Sequence, residues 1–241
     1  MMKRSRLVVL ALGLVLVGLI GCDDQSQKIS ELEARLNTIE NEARYTSDVL
    51  AIWKLQSRYQ HYINIGARQD IVSLFADHPD VEIELSNKGI VRGADAPHRY
   101  FLRAGQPKPA TPPKPIPGFM VMHMSVNPAI EINHDGTQAK AVWLSPGITN
   151  IFREGKMKAG WNFGKYEMEY IKQESQWKIL SFRWHQIFLT PYDKGWVEEN
   201  IHPGSVGAAV KPDQPSAPDF YRPYDATSTD NRFDPPPPEP Y

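Results

Sequence analysis

The sequence predicts an α+β fold in which N-terminal helices pack against a curved antiparallel sheet. Apolar side chains recur at helical spacing over residues 49–63, and the chain then changes to long extended segments. Turns short enough for hairpins join those segments. Helices followed by an antiparallel meander are typical of α+β domains, and a long sheet curved around the helices would enclose a cavity. The extended segments are residues 119–133, 138–153, 157–173 and 177–189.

Local signals place the shorter elements before the sheet. The first core helix ends near Gly66, and the next helix stops where Pro79 pushes the preceding residue out of the α region. A polar turn at Gly89 then joins two short extended runs. The predicted elements are helices over residues 49–63, 71–76 and 94–104 and strands over residues 81–85 and 90–93.

The first 21 residues are typical of a bacterial lipoprotein signal peptide. Lys3, Arg4 and Arg6 precede an uncharged apolar run. This run is shorter than the roughly 20 apolar residues that a bilayer span requires, and an uncleaved anchor helix is the alternative. The residues Leu-Ile-Gly before Cys22 resemble the lipobox that the lipoprotein signal peptidase cuts. We therefore expect cleavage after residue 21 and lipidation of Cys22.

The expected anchor bears on the location of the protein. Acyl chains contribute about 0.8 kcal/mol per buried methylene, so two or three chains would hold the protein at a membrane. Asp23 resembles the inner-membrane retention signal of enteric lipoproteins, so we expect the periplasmic face of the inner membrane. Cys22 is the only cysteine, which excludes an intramolecular disulfide.

Composition divides the rest of the chain into a spacer, a domain and a tail. The net charge is −1 and the mature chain has no run of Lys and Arg, so nucleic acid is not an expected partner. Prolines cluster in residues 106–117 and again from residue 203 onward. We predict a spacer with an amphipathic helix over residues 22–40, a domain over residues 41–199 and a proline-rich tail over residues 200–241.

The spacer and the two proline-rich segments each leave alternatives open. Segment 106–117 either covers the mouth of the cavity or forms a surface insertion. The tail either lies over the domain or binds a partner in polyproline II form. In the spacer, four apolar residues at 3-4-3 spacing favour a single amphipathic helix, and a dimerising coil that would make a homo-oligomer is the alternative. Those four residues are Ile29, Leu32, Leu36 and Ile39.

Several short motifs occur in a recognisable order along the predicted domain. They are Leu74-Phe-Ala-Asp77, Gly89-Ile-Val-Arg-Gly93, His123 at the start of an extended segment, Asp135-Gly136, residues 164–170 and Trp177-Lys-Ile179. In order and spacing these motifs resemble the SnoaL-like family, over about residues 31–196. The resemblance implies the nuclear transport factor 2-like cone, with N-terminal helices against a curved antiparallel sheet and an apolar interior.

The resemblance also implies a kind of chemistry. Dehydratases, dehydrochlorinases, cyclases and steroid isomerase relatives in this family use no cofactor, and side chains in the cone move a proton beside a leaving group or carbonyl. In the dehydratase and dehydrochlorinase branch, an Asp at the end of the first core helix pairs with a His that acts as general base. His123 matches the His position. The Asp position falls at Gly66, so only half of this pair is present.

Further candidates come from alternation in the last strand and from the same resemblance. Arg183 and His185 share one face of that strand, and the resemblance implies a pocket arginine near Arg183, so we expect this face to line the cone. Arg183 would stabilise an oxyanion, and His185 would share proton transfer with His123. Tyr62, near the end of the first core helix, would orient His123 in place of the missing Asp. We expect the substrate pocket to include Tyr59, Asn162, Tyr166 and Tyr170.

Each candidate also has a structural interpretation. His123 could be a hydrogen-bonded structural histidine, Arg183 and His185 could be rim residues, and the tyrosines could be core packing. The other histidines lack a metal-ligand spacing, so we predict no metal. The family resemblance implies that no cofactor is needed. Two hypotheses remain. The first is a membrane-anchored, cofactor-independent lyase, dehydratase or isomerase for a hydrophobic or aromatic small molecule. The second is a non-catalytic lipoprotein that binds a hydrophobic ligand or a partner protein.

Overall fold

The computed structural model describes residues 4–85, 88–105, 117–153, 155–201, 210–230 and 232–241, with side chains from residue 25 onward. The side chain of Cys22 and nearly all of the proline-rich segment 106–117 lie outside these described residues. The predictions for that cysteine and that segment therefore stay predictions. Within the described part of the chain, no helix is long and apolar enough to cross a bilayer.

Two compact units make up the chain, residues 1–47 and residues 48–241. Helix α1 spans Arg4–Ile65 and includes residues 22–40, where the spacer is predicted. In the first unit its apolar positions are not covered, since Ile29, Leu32, Leu36 and Ile39 are between 52% and 62% exposed.

The second unit is an α+β domain with a curved, seven-stranded mixed sheet. The strand order is β2-β1-β7-β6-β5-β3, and β4 pairs separately with β5. This architecture is the predicted nuclear transport factor 2-like fold. The elements after α1 are α2 Arg68–Val72, β1 Glu82–Leu85, β2 Ile90–Arg92, α3 Ala96–Leu102, β3 Val121–His123, β4 Val126–Ile132, β5 Gln138–Arg153, β6 Lys156–Gln173, β7 Gln176–Pro191 and α4 Gly195–Glu198.

The predicted meander of long strands is present as β5, β6 and β7, with two differences elsewhere in the sheet. The predicted segment 119–133 forms two strands, β3 and β4, which separately pair with β5. Strand β1 runs parallel to β7, so the sheet is mixed and not wholly antiparallel. Alternation along a strand reports which residues share a face, but it does not report the direction of the partner strand.

The sheet face that packs on α1, here called the inner face, carries an aromatic core. The ring of Tyr59 in α1 lies 4.9 Å from that of Phe182 and 5.7 Å from that of Tyr166, between centroids. Trp184 lies 4.6 Å from Tyr166 on the same face. Aromatic pairs of this kind contribute about 0.5–1.5 kcal/mol beyond the burial of their surface. They fix the position of α1 on the sheet.

The C-terminal tail packs against the domain, in agreement with one of the two predicted alternatives. Gln214 forms a β-bridge with Ile90 at the β2 edge. Farther along, the backbone N–H of Tyr224 donates to the carbonyl oxygen of Ile187 at 2.8 Å. The tail in this region covers the sheet face opposite α1, here called the outer face.

Candidate functional site

His123 lies at the end of β3 and beside the aromatic core of the inner face. Its ring centroid is 5.7 Å from that of Trp184, and the two rings meet edge to face. The side chain is half-buried. The strongest family candidate therefore lies on the inner face, where the sequence places it.

Asn64, near the C-terminal end of α1, holds His123 through its backbone. Asn64 Nδ2 donates to the carbonyl oxygen of His123 at 2.9 Å, and Asn64 Oδ1 accepts from the N–H of His123 at 3.0 Å. One amide thus satisfies both backbone groups of a strand residue. Each such hydrogen bond contributes about 0.5–1.5 kcal/mol, and the pair ties β3 to α1.

Two further amides extend this contact along the same face of α1. Ser125 Oγ donates to Gln60 Oε1 at 2.7 Å and accepts from Gln56 Nε2 at 3.2 Å. The hydroxyl of Tyr170 donates to Gln56 Oε1 at 3.0 Å and accepts from Trp143 Nε1 at 3.1 Å. A chain of hydrogen bonds therefore fixes the helix against β5, β6 and the connection between β3 and β4, next to the His123 site.

Gly147 leaves room for the His123 ring. The two residues are register partners in the β3–β5 ladder. A Cβ at Gly147 would lie 2.8 Å from His123 Nδ1 and 2.8 Å from the Met122 carbonyl oxygen, which is closer than van der Waals contact allows. On the neighbouring strand, Asn162 pairs with Gly147 and places its Nδ2 3.4 Å from His123 Nε2. A side chain at position 147 would push the imidazole away from Asn162.

The protonation state of His123 suits a general base. Burial lowers the pKa of His123 below 6.5, because the low-dielectric surroundings disfavour the imidazolium. The neutral ring keeps a lone pair that can accept a proton. Its Nδ1 is buried without a hydrogen-bond partner, and within the described residues no carboxylate hydrogen-bonds to the ring. This agrees with the absence of a carboxylate at Gly66.

The expected pocket residues Tyr59, Asn162, Tyr166 and Tyr170 also lie on the inner face. Burial raises the pKa of each of the three tyrosines, and the charge and hydrogen bond of Tyr166 raise that of Tyr59 further. Their hydroxyls therefore stay protonated and act as hydrogen-bond donors. Tyr166 contacts Trp184, the ring that meets His123. The hydroxyl of Tyr170 belongs to the chain of hydrogen bonds that includes Gln56.

The expectation that Arg183 and His185 line the cone is wrong. In the β6–β7 ladder, Trp184 lies opposite Tyr166 on the inner face. Arg183 and His185 flank Trp184, so their side chains point to the outer face. The structure therefore does not bring them together with His123.

Bulges also interrupt the single alternating face that the sequence predicts for β7, while the inward choice for Arg183 and His185 comes from the family resemblance. The β6–β7 register shifts between Glu169 and Tyr170, and again between Phe163 and Gly164. Ile179 lies opposite the inner-face Tyr170, although uninterrupted alternation would put Ile179 on the same face as Arg183. Each bulge inserts one unpaired residue and exchanges the two faces beyond it.

On the outer face, Arg183 and His185 belong to a network of charged groups. Arg183 Nη2 lies 2.8 Å from Glu82 Oε1, and His185 Nε2 lies 2.9 Å from Glu167 Oε2. The other ring nitrogen of His185 lies 3.2 Å from the carbonyl oxygen of Phe220 in the tail. These contacts hold β1, β6, β7 and the tail together.

Two residues of the site were missed by sequence reasoning, and one expected residue has no contact there. Tyr62 is partly buried against the core, and none of the described hydrogen bonds joins it to His123. Asn64 and Gly147 were not predicted. The sequence does contain a signal for Asn64. Polar amides recur at a spacing of four on an otherwise apolar helix face, at Gln56, Gln60 and Asn64.

Comparison with known proteins places the domain in a family. The model of the SnoaL-like domain family matches residues 44–183. No curated protein matches the sequence significantly. The solved structure of LinA is similar with a TM-score of 0.50 and 14% identity, over 63% of this chain and 93% of that one. The hexachlorocyclohexane dehydrochlorinase LinA-type3 from Novosphingobium barchaimii LL02 has a TM-score of 0.49 and 14% identity, over 62% of this chain and 93% of that one.

At 14% identity, the likeness to LinA shows the fold alone. The family match is the stronger result, because it covers more than half of the 241 residues and includes the C-terminal part of α1, strands β1 to β6, the first half of β7 and His123. The chain therefore belongs to the SnoaL-like domain family.

Proposed function

We propose that this domain is a cofactor-independent dehydratase or isomerase that acts on an apolar small molecule. The placement of His123 is the observation that carries the proposal. A neutral, half-buried imidazole lies beside aromatic rings on the inner face, and Asn64 fixes its backbone. A base held in this way can remove a proton beside a leaving group or a carbonyl.

The neighbours of His123 have defined roles in this proposal. The aromatic rings of Trp184 and Tyr166 would contact the apolar body of the substrate. The Asn162 amide, 3.4 Å from His123 Nε2, would donate a hydrogen bond to the oxygen that gains charge. General acid–base catalysis contributes about 10²–10⁴-fold, and we expect the lower part of that range because no carboxylate stabilises the imidazolium.

The proposal also includes a location. Cleavage after residue 21 and lipidation of Cys22 would tether the domain at the periplasmic face of a membrane, with the inner membrane favoured by Asp23. The basic start, the short apolar run and the lipobox-like residues support this. Mass spectrometry of the N-terminal peptide from the producing bacterium tests it, since the peptide should begin at Cys22 and carry acyl chains. An uncleaved N-terminus would contradict it.

A screen for turnover tests the catalytic part. The full chain would be incubated with hydroxylated, halogenated and ketonic alicyclic and aromatic molecules, with thermal shift and product formation recorded for each. We expect at least one molecule to be both a stabilising ligand and a substrate. His123→Ala should abolish product formation more than it weakens the thermal shift.

A second candidate function is binding of an apolar molecule without turnover. The observation that favours it is the lack of a carboxylate beside His123 in the described part of the domain. The same screen separates the two functions, because a binding protein would show thermal shifts with unchanged ligands and the enzyme would show products.

A further inference from the structure

A cavity of about 570 Å³ lies between the outer face of the sheet and the C-terminal tail. Six aromatic side chains from β6, β7, α4 and the tail line it. The rings are those of Trp161, Phe163, Phe188, Trp196, Tyr224 and Phe233. None of the described lining residues is charged.

The six aromatic rings of this cavity lie on the side of the sheet opposite the His123 ring, and Gly147 and Asn162 of the sheet also line the cavity. Phe163 and Phe188 are register partners in the β6–β7 ladder. Phe163 directly follows Asn162, whose side chain meets His123 on the inner face. Because adjacent residues of a strand point to opposite faces, the ring of Phe163 lies on the outer face. The aromatic wall of the cavity therefore lies on the outer face, and its interpretation rests on those rings and not on the proposed function.

The geometry of the rings indicates the kind of ligand. The rings of Phe163 and Phe188 lie 5.7 Å apart at an interplanar angle of 15°, and those of Phe188 and Trp196 lie 5.1 Å apart at 27°. These nearly parallel rings stack on one another and form an apolar row along one wall of the cavity. The volume is within the range of about 300–1,000 Å³ that is usual for small-molecule sites.

We infer that this cavity, here called the aromatic cavity, is a second binding site, and that its ligand is an uncharged, flat molecule with fused aromatic rings. A charged ligand would lose its hydration without gaining a charged partner from the described lining residues. A flat ring system instead packs against the side of this row of rings that faces the cavity.

The C-terminal tail forms one wall of the aromatic cavity and is anchored there. Asn200 Nδ2 donates to the carbonyl oxygen of Tyr224 at 2.8 Å, and Lys165 Nζ donates to that of Pro235 at 2.8 Å. Arg222 forms an ion pair with Asp234 at 3.2 Å. The tail therefore covers the sheet and also supplies two of the rings that would contact the ligand, those of Tyr224 and Phe233.

A fluorescence titration with N-phenyl-1-naphthylamine, an uncharged aromatic dye, tests the aromatic cavity. The full chain and its variants are titrated in one detergent buffer, so that partition of the dye into micelles is the same for each. Loss of one stacking ring should weaken binding by about two- to tenfold in Phe188→Ala and in Phe233→Ala. The second variant lies in the tail, so it keeps the test valid if the first one unfolds.

Two control variants make the outcome specific. Phe152→Ala removes a ring that is 68% exposed on β5 and does not line the aromatic cavity, so it should bind the dye like the wild type. His123→Ala should also keep the wild-type affinity. Unchanged binding in both Phe188→Ala and Phe233→Ala, or an equal loss in His123→Ala, would overturn the inference.

A different observation carries a second inference, on the first unit of the chain. Four apolar residues of α1 recur at alternating spacings of three and four and are more than half exposed there. This is the a/d pattern of a coiled coil. In that register Lys28 and Arg35 occupy g positions, and Glu33 and Glu40 occupy e positions.

We propose that residues 28–46 form a parallel, in-register coiled coil with a second copy of the chain. In a parallel dimer, a g residue meets the e residue five positions later in the partner, which joins Lys28 to a Glu33 and Arg35 to a Glu40. In an antiparallel dimer, e residues meet e residues and the glutamates repel one another. The charge pattern therefore selects the parallel arrangement and a second copy as the occupant of this face.

Cysteine cross-linking and charge reversal test the coiled coil. In a Cys22→Ser background of the full chain, Leu36→Cys at an a position should form an intermolecular disulfide, because a positions of a parallel dimer face each other. Ala34→Cys on the opposite side should not. Equal cross-linking at both positions would contradict the proposal.

Charge reversal adds a readout that simple loss of folding would not give. Glu40→Lys should shift the full chain from dimer to monomer in light scattering, because the new lysine would face Arg35 of the second copy and repel it. The double variant Glu40→Lys with Arg35→Glu restores opposite charges and should restore the dimer. A monomeric wild type, or a double variant that stays as dissociated as the single one, would overturn the proposal.

Discussion

The imidazole of His123 depends on three neighbours that act in different ways. Asn64 holds its backbone at both polar groups. Gly147 leaves space that any side chain would fill, and Asn162 meets the ring itself. Of these residues, the family resemblance indicates His123, and alternation indicates Asn162. The other two act through backbone geometry, which the motifs of a single sequence do not report.

The Asn64 contact makes a direct prediction about stability. Asn64→Ala leaves the N–H and carbonyl groups of His123 without their partner, which should lower the free energy of unfolding by about 1–3 kcal/mol. Urea denaturation followed by circular dichroism measures this change. Asn41→Ala removes an exposed asparagine from the same helix and should change stability by less than about 0.5 kcal/mol. Equal effects of the two variants would contradict the role of Asn64.

The lowered pKa of His123 predicts a pH dependence of stability. The unfolded chain takes up a proton on this residue as the pH falls through 6.5, whereas the folded chain does so at lower pH. The stability that the neutral ring confers is therefore full above 6.5 and is lost as the pH falls toward the folded pKa. Wild type should lose more stability than His123→Gln between about pH 7 and about pH 5 in urea melts. Parallel curves for the two proteins would show that His123 titrates normally.

At the scale of elements, β7 shows what an alternating pattern can and cannot predict. The turns between the long strands predict the meander, and β5 spans the expected residues. The inward face of β7 is predicted wrongly, because the choice rested on the family resemblance and both faces of the strand are covered in the folded domain. The outer face of β7 carries the ion pairs of Arg183 and the contact of His185 with the tail. A buried, charged outer face cannot be distinguished from a pocket face by hydrophobicity.

The attachment of α1 to the β6–β7 hairpin depends on Asp48, which no sequence argument singled out. Asp48 Oδ1 accepts from Trp177 Nε1 at 2.8 Å, and Lys172 Nζ lies 2.7 Å from the same oxygen. Asp48→Ala leaves a buried indole N–H and a half-buried ammonium without this partner, which should cost about 1–3 kcal/mol of unfolding free energy. Asp48→Asn keeps an acceptor for Trp177 and should cost less. Thermal melts that rank the two variants in the reverse order would contradict this account.

At the scale of the whole molecule, the sheet of the second unit separates two aromatic environments. The inner one holds His123 and the outer one is the aromatic cavity beneath the tail. The sequence predicts the cone and one cavity inside it. It does not predict the aromatic cavity, because residues from β6 and from the tail are far apart in the chain and meet through tertiary packing.

The central claim is that His123 acts as the base of a cofactor-independent reaction on the inner face. The most direct test compares initial rates of product formation for wild type, His123→Ala and His185→Ala, on a substrate identified by the screen. The account predicts a loss of about 10²-fold or more in His123→Ala and a rate within a few-fold of wild type in His185→Ala, whose ring lies on the outer face. Turnover that survives in His123→Ala, or that is lost equally in His185→Ala, would contradict it.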